Sequence, residues 1–160
     1  MINNDILRRL RYALKMKDLV MVEIFKLMEH NIGVGEILDM LRKEEDERFL
    51  ECSDHALALF LDGLIIYKRG KREDQVVDPK THSFTLDNNE IFKKLRIALK
   101  LKDDDIVEIL KLVKFNVTKS EINALFRKKG HQNFKKCGDQ LLRNFLLGLT
   151  KRNAEDTKKL

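Results

Sequence analysis

Apolar residues recur along this chain at intervals of three and four positions, a spacing that predicts helices rather than strands. Near the start, Ile6, Leu10, Ala13 and Leu14 follow an i, i+4, i+7, i+8 pattern, which places them on one face of a helix. Three more segments with helical spacing follow before residue 70. Because Lys, Glu, Leu and Arg fill many of the remaining positions, the local preference also favours helix.

The same pattern recurs 85 residues further along the chain. Residues 3–63 match residues 88–148 without a gap, and nearly half of the paired positions are identical. The identical pairs include Leu10/Leu95, Arg11/Arg96, Asp18/Asp103, Asn31/Asn116, Phe49/Phe134, Cys52/Cys137, Phe60/Phe145 and Gly63/Gly148. Such a match indicates one duplicated supersecondary unit. We therefore predict an all-α fold of two tandem homologous four-helix repeats packed together.

Each repeat is expected to bury one apolar residue from each of its four helices. The predicted core residues are Leu10, Ile24, Ile37 and Phe60 in the first repeat, and Leu95, Ile109, Ile122 and Phe145 in the second. The second helix of each repeat is apolar on most faces, which predicts a buried central helix.

Residues with capping chemistry mark the helix starts. Asp18 and Asp103 precede the second helices, where a carboxylate can accept hydrogen bonds from first-turn N–H groups. Thr118 and Glu121 have the spacing of a capping box for the third helix of the second repeat. Gly33 stands at the threonine position in the first repeat, so a weaker cap is expected there.

The fourth helices carry two further shared features. Asp54 and Asp139 stand at their starts, where capping accounts for them. Gly63 and Gly148 lie inside the helical pattern, although a mid-helix glycine costs about 1 kcal/mol relative to alanine. We expect these glycines to permit a close helix approach, for example a crossing of the two fourth helices on a pseudo-twofold axis.

The repeats are predicted to span residues 1–68 and 88–152, with a linker at 69–87 and a polar tail at 153–160. The linker holds Gly70 and the only proline, Pro79, and shows neither helical nor strand periodicity.

Composition places the chain among ordinary globular proteins. The 160 residues are 43% hydrophobic and 36% charged, with a formal net charge of +6. The first residues are charged and lack the apolar core of a signal peptide, and there is no run of about 18 apolar residues that would span a membrane. We expect a cytoplasmic protein in which Cys52 and Cys137 are thiols.

Three long motifs carry a resemblance to a known family. They are NNDILRRLRYAL at the start, ECSDHALALFLDGLI followed by KRGK, and ALFRKKGHQNFKKCGDQLLRNFLLGL near the end. In these motifs the chain resembles the YehS-like family of duplicated bacterial proteins, although Lys129-Gly130 stands where a proline is expected before the glycine. The resemblance implies a cytoplasmic bacterial protein with two related domains, and it implies no activity.

Candidate chemistry in the sequence is sparse. None of the four histidines, His30, His55, His82 and His131, is shared by both repeats, and His30 is expected to pack at a helix end. Cys52 and Cys137 are shared, but each repeat offers too few ligands for a structural zinc site, so we interpret both as small buried apolar residues. The nucleotide-binding and nucleophile-elbow glycine motifs are absent from the sequence. We expect no metal, no cofactor and no catalytic residue.

The two repeats differ most in charge. Residues 1–63 contain 9 basic and 13 acidic residues, whereas residues 88–148 contain 14 basic and 7 acidic ones. The sequence EEDE at 44–47 corresponds to KGHQ at 129–132. Either the basic repeat binds an anion such as nucleic acid, or opposite charges attract within or between chains. A solvated surface without either role is the third interpretation.

The nucleic-acid interpretation has one further support. The second and third helices have the spacing of a helix-turn-helix motif, with Asn31 or Asn116 at a turn position that favours a left-handed residue. The larger Leu27 and Leu112 argue against the motif, because a small residue is usual there. The candidate face of the second repeat, called the basic face below, comprises Lys119, Ser120, Asn123, Arg127, Lys128, Lys129, Lys135 and Lys136.

Three functional hypotheses follow from these observations. The first is a non-enzymatic helical binding or adaptor protein, with a protein partner or self-association. The second is a nucleic-acid-binding protein that uses the basic face. The third is an enzyme with a site at the interface between the repeats. None of them involves a membrane.

Overall fold

The computed structural model describes residues 1–71 and 86–158, and these contain eight helices and no strand. The helices are α1 (Asn3–Ala13), α2 (Asp18–Leu27), α3 (Val34–Met40), α4 (Asp54–Arg69), α5 (Asn88–Leu99), α6 (Asp103–Lys111), α7 (Lys119–Leu125) and α8 (Asp139–Lys158). The prediction of an all-α fold with two four-helix repeats is confirmed. The predicted linker lies largely outside the described residues, including Pro79 and His82.

The eight predicted core residues are all buried, with at most 1% of their surface exposed. They belong to one continuous apolar cluster to which both repeats contribute. Phe60 contacts Phe25 with ring centroids 5.3 Å apart, and Phe145 contacts Phe92 at 4.6 Å. The prediction of a common buried set in each repeat is confirmed, and the two sets form a single core.

The repeats exchange their first helices. Helix α1 packs against α8, and α5 packs against α4, so the first helix of each repeat lies on the fourth helix of the other. Polar contacts that cross this interface include an ion pair and a hydrogen bond: Lys94 Nζ lies 2.6 Å from Asp62 Oδ1, and Asn153 Nδ2 donates to the Ala13 carbonyl at 2.6 Å. Since the exchange is reciprocal, it has the form of a pseudo-twofold dimer within one chain.

The two mid-helix glycines serve contacts inside each repeat. A Cβ at Gly63 would lie 2.2 Å from the carbonyl oxygen of Ile24, and a Cβ at Gly148 would lie 2.3 Å from that of Ile109. The glycines therefore let the fourth helix touch the backbone of the second helix. The expectation of a close helix approach is confirmed, although the approach is to the second helix of the same repeat and not a crossing of the two fourth helices.

Several predicted helix-start roles are also corrected. Asp18 and Asp103 occupy the first helical position and form no cap; their carboxylates instead bind Arg11 and Arg96 at 2.7 and 2.8 Å. At the start of α4 the cap is Ser53, whose hydroxyl accepts the Ala56 N–H at 3.1 Å. At the start of each second helix, an arginine therefore binds the aspartate carboxylate that was expected to accept backbone N–H groups.

The capping box of the third helix is confirmed in the second repeat. The Glu121 N–H donates to the Thr118 hydroxyl at 3.1 Å, and the Thr118 N–H donates to Glu121 Oε1 at 3.3 Å. In the first repeat Gly33 offers no side-chain cap, as expected.

The second helices are less buried than predicted. In α2, Leu19 is 68% exposed and Leu27 is 40% exposed, whereas Ile24 and Phe25 on the opposite face are fully buried. Only one side of this helix meets the core. Helix α8 continues to Lys158, so most of the predicted polar tail, residues 153–160, is helical.

Candidate functional site

A buried asparagine in each repeat fixes the segment that follows the third helix. Asn89 Nδ2 donates to the carbonyls of Leu125 and Lys135, both at 2.9 Å, and its Oδ1 accepts the Cys137 N–H at 2.9 Å. Asn4 makes the same three bonds to Met40, Leu50 and Cys52. Because one amide satisfies three backbone groups, it holds a connection that has no regular secondary structure.

The asparagine that directly precedes each of these residues, Asn3 or Asn88, holds the start of the fourth helix. Asn88 Nδ2 lies 2.7 Å from Asp139 Oδ1, and Asn3 Nδ2 lies 2.7 Å from Asp54 Oδ1. These contacts explain why the chain repeats an Asn-Asn pair and a Cys-x-Asp triplet. The sequence interpretation missed this role, although the repetition of both motifs was the available signal.

Turns within the connection of the second repeat position its basic side chains. The His131 N–H donates to the Lys128 carbonyl at 3.1 Å, and the Lys135 N–H donates to the Ala124 carbonyl at 3.0 Å. His131 Nδ1 also accepts the Asn133 N–H at 3.1 Å. In the first repeat, Asp46 Oδ1 accepts the corresponding N–H of Arg48 at 2.9 Å, so the two turns have the same hydrogen-bond pattern.

All eight residues of the basic face are exposed, on α7 and on the connection after it. Three of its cations are engaged: Lys119 lies 2.7 Å from Asp104, Lys129 lies 2.5 Å from Asp87, and Lys135 lies 3.7 Å from Glu121. The other three, Arg127, Lys128 and Lys136, form no ion pair with the described part of the chain.

Two of the engaged lysines are held firmly in the charged state. The hydrogen bond to Asp104 raises the pKa of Lys119, and the hydrogen bond to Asp87 raises the pKa of Lys129. Both side chains stay fully cationic near neutral pH. Their carboxylate partners reduce the local positive field, so the unpaired cations dominate attraction of an external anion.

A shallow cleft of about 410 Å³ lies beside the basic face, between α5 and the connection. Arg127, Lys128 and Lys129 line it, but so do the carboxylates of Asp87 and Glu90. This mixture disfavours an anion inside the cleft. Arg127, Lys128 and Lys136 are nevertheless exposed to solvent, so they are accessible from outside the cleft.

The corresponding segment of the first repeat pairs its charges internally. Arg42, at the position of Arg127, contacts Asp39 at 3.0 Å and Asp46 at 3.1 Å. The hydrogen bond that Arg42 donates to Asp39 raises the pKa of Arg42. Glu44, Glu45 and Glu47 are exposed beside this cluster, so the first repeat presents net negative charge where the second is positive.

The expected helix-turn-helix geometry is wrong in two respects. Helix α6 ends at Lys111 and α7 begins at Lys119, so the connection is longer than the three or four residues usual for the motif. The left-handed residues are Glu29 and Lys114, with φ of 57° and 59°, and not Asn31 and Asn116. The predicted helix-turn-helix motif is therefore not formed by α6 and α7.

The remaining chemical candidates fit packing roles. Cys52 and Cys137 are buried free thiols, and burial raises the pKa of each to about 12. The ring of His30 lies 5.4 Å from that of Phe25, as expected for a packed side chain. Within residues 1–71 and 86–158, no three His, Cys, Asp or Glu side chains are grouped as metal ligands would be.

Comparison with known proteins places the chain in a family. The model of DUF1456, a family described as proteins of unknown function, matches residues 3–70 and again residues 88–153. The chain belongs to this family. It is also 45% identical to the uncharacterized protein YehS of Escherichia coli (strain K12) over 153 residues, which covers 95% of this chain and 96% of YehS. No solved structure matches the chain.

Membership of the YehS-like family, expected from the motifs, is therefore confirmed, and the double match agrees with the tandem repeats. In the described part of the chain, no helix has both the length and the apolar character needed to cross a bilayer.

Proposed function

We propose that the chain is a non-enzymatic binding protein whose second repeat binds nucleic acid through the phosphate backbone. The observation that supports this most directly is the set of exposed, unpaired cations Arg127, Lys128 and Lys136, fixed on a connection that Asn89 anchors. Exposed cations at fixed positions neutralise phosphates and release counterions. A cytoplasmic location, with both cysteines kept reduced, is part of the proposal.

The first repeat supports the proposal as an internal comparison. It has the same fold and the same asparagine anchor, but Arg42, which corresponds to Arg127, forms ion pairs with Asp39 and Asp46. Positive charge is therefore not required to build the connection. The short α7 and the long turn before it favour phosphate contacts, which position a protein without reading sequence.

The experiment compares full-length variants in a fluorescence anisotropy titration. The probe is a fluorescein-labelled 20-base-pair duplex of random sequence, measured at 50 and 200 mM KCl. The test variant replaces Lys128 and Lys136 with alanine, and the control replaces Lys43 and Lys26 with alanine. Lys43 occupies the position of Lys128 in the first repeat, so the control removes the same charge from the same scaffold.

We expect the wild type and the control to bind with similar affinity that falls steeply with salt. The test variant should bind more weakly, and its slope of log affinity against log salt should decrease by about 1.8, since each phosphate contact contributes about 0.9 on duplex DNA. Equal weakening in test and control variants, or no binding by the wild type at 50 mM KCl, would contradict the proposal.

Self-association is the competing explanation, because Glu44, Glu45 and Glu47 are exposed on the first repeat. An acidic segment of one molecule could then contact the basic face of another. Light scattering on the same samples distinguishes the two. Salt-sensitive oligomers that disappear in the Lys128/Lys136 variant, without nucleic-acid binding by the wild type, would support self-association and exclude the proposed function.

A further inference from the structure

A second cleft lies where the two repeats meet, away from the basic face. It has a volume of about 620 Å³ and is formed by α1, the end of α3 and the last turns of α8. Arg8, Arg11 and Lys15 line it, together with Tyr12, and none of its described lining side chains is acidic. Its volume is within the range of small-molecule sites.

One wall of this cleft lacks an aromatic ring that the second repeat possesses. In the second repeat, Phe126 covers the guanidinium of Arg96, with the ring centroid 4.5 Å from the guanidinium carbon. The corresponding residues of the first repeat are Leu41 and Arg11. Arginine stacks favourably on aromatic faces, so the first repeat keeps the arginine but leaves its stacking surface open.

The opposite wall is also reduced relative to the second repeat. Helix α8 contributes Thr150 and Ala154 to the cleft, at positions where α4 carries Ile65 and Arg69. Arg69 Nη1 reaches across to the carbonyl of Ile97 at 3.3 Å, and Ala154 cannot make such a contact. The side chains on both walls are therefore smaller beside α1 than those at the equivalent positions beside α5.

The arginine of the open cleft differs from its counterpart in its hydrogen bonds and in its exposure. Arg96 Nε donates to the Leu101 carbonyl at 3.1 Å, whereas Arg11 Nε is buried and finds no acceptor in the described part of the chain. The Arg11 side chain is 39% exposed and that of Arg96 is 28% exposed. Arg11 thus offers an open face for stacking, although its Nη2 already binds Asp18.

We propose that this cleft binds a nucleotide, with the base stacked on Arg11 in the place that the Phe126 ring takes in the second repeat. The phosphate is placed against Arg8 and Lys15, the other cations of the lining. Arg8 already donates to Asp5 and to the Arg42 carbonyl, and Arg11 donates to Asp18, but a guanidinium has five donors, so each arginine keeps others for a ligand. Tyr12, 75% exposed at the rim, covers the outer face of the base.

This site is independent of the basic face and goes beyond the proposed function. The shared chemistry is a base with its phosphate, which a free nucleotide and a single strand both supply. Isothermal titration calorimetry with AMP, adenosine and inorganic phosphate tests the free ligand. Anisotropy with a labelled twelve-residue oligo(dA) tests the strand.

Two variants close the cleft with residues that the chain already uses at the equivalent positions. Leu41→Phe supplies the missing ring, and the double change Thr150→Ile with Ala154→Arg rebuilds the opposite wall. Leu38→Phe is the control, because Leu38 is an exposed residue of the same helix that does not line the cleft. Circular dichroism and thermal melts establish that each variant is folded.

We expect AMP to bind the wild type and to bind each closed variant about tenfold or more weakly, as when a base loses its stacking surface. Adenosine and phosphate, each lacking half of the ligand, should bind more weakly than AMP. Leu38→Phe and the Lys128/Lys136 alanine variant should retain wild-type affinity for AMP, so failure of this site and failure of the basic face are distinguishable.

One possible outcome is that the wild type binds oligo(dA) but not AMP, and that both closed variants bind oligo(dA) more weakly. The ligand is then a nucleotide within a strand, and the proposal stands. The proposal is overturned if the wild type binds neither probe. It is equally overturned if both closed variants are folded and bind with wild-type affinity.

Discussion

The connections after the third helices, residues 41–53 and 126–138, share a backbone arrangement and carry opposite charge. In both, a buried asparagine binds two carbonyls and one N–H. The first connection places Asp46 where the second has His131, and each accepts the same turn N–H. The backbone arrangement thus depends on the buried amide and leaves the outward side chains free to differ, so the fold does not require the charge difference.

The same comparison extends to the interface between repeats. Each first helix packs on the fourth helix of the other repeat, but the α4–α5 side carries the larger residues Ile65, Arg69 and Phe126. The α1–α8 side carries Thr150, Ala154 and Leu41 and is open. Duplication provides two equivalent surfaces, and side-chain size distinguishes them without altering the helices.

The largest expected effect tests whether the repeats contribute equally to one core. Phe60→Ala and Phe145→Ala should each cost about 3–5 kcal/mol of unfolding free energy, since both rings are fully buried. Urea unfolding followed by circular dichroism measures this. Because the core is continuous, each variant should unfold in a single transition. Two separate transitions, with only one shifted, would show that the repeats fold independently.

A smaller effect is expected at the asparagine anchors. Asn4→Ala and Asn89→Ala each remove three hydrogen bonds to the backbone, at a cost of about 1 kcal/mol per bond. Asn31→Ala and Asn116→Ala are matched controls, because these asparagines are also shared by the repeats but are exposed. Urea midpoints measure both sets. Equal shifts at the anchors and the controls would contradict the anchoring role.

The smallest expected effect concerns cofactors and disulfides. The melting temperature should not change on adding EDTA or a phosphine reductant, because both cysteines are buried free thiols and the core is apolar. Differential scanning fluorimetry provides the measurement, with the Phe145→Ala variant as a control for sensitivity. A clear fall with EDTA would reveal a metal-dependent element, and a fall with reductant would reveal a disulfide.

The sequence predicted which charged residues belong to the candidate site, but it did not predict their contacts. The sequence identified all eight residues of the basic face, and each is exposed. It could not show which cations are paired, because Lys129 meets Asp87, a residue 42 positions away in the chain. The cleft beside Arg11 was not predicted either, since its walls come from α1, α3 and α8.

Sequence alone determined the helical class, the duplication and the buried residue of each helix, because helical periodicity and self-similarity are local properties of the chain. Tertiary structure decided which helices pair across the repeats, because the same apolar face can be buried against either fourth helix. It also decided that Asp18 and Asp103 bind arginines instead of capping the second helices, and that Gly63 contacts the backbone of Ile24. Those outcomes depend on distances between residues far apart in sequence, which only the packed core fixes.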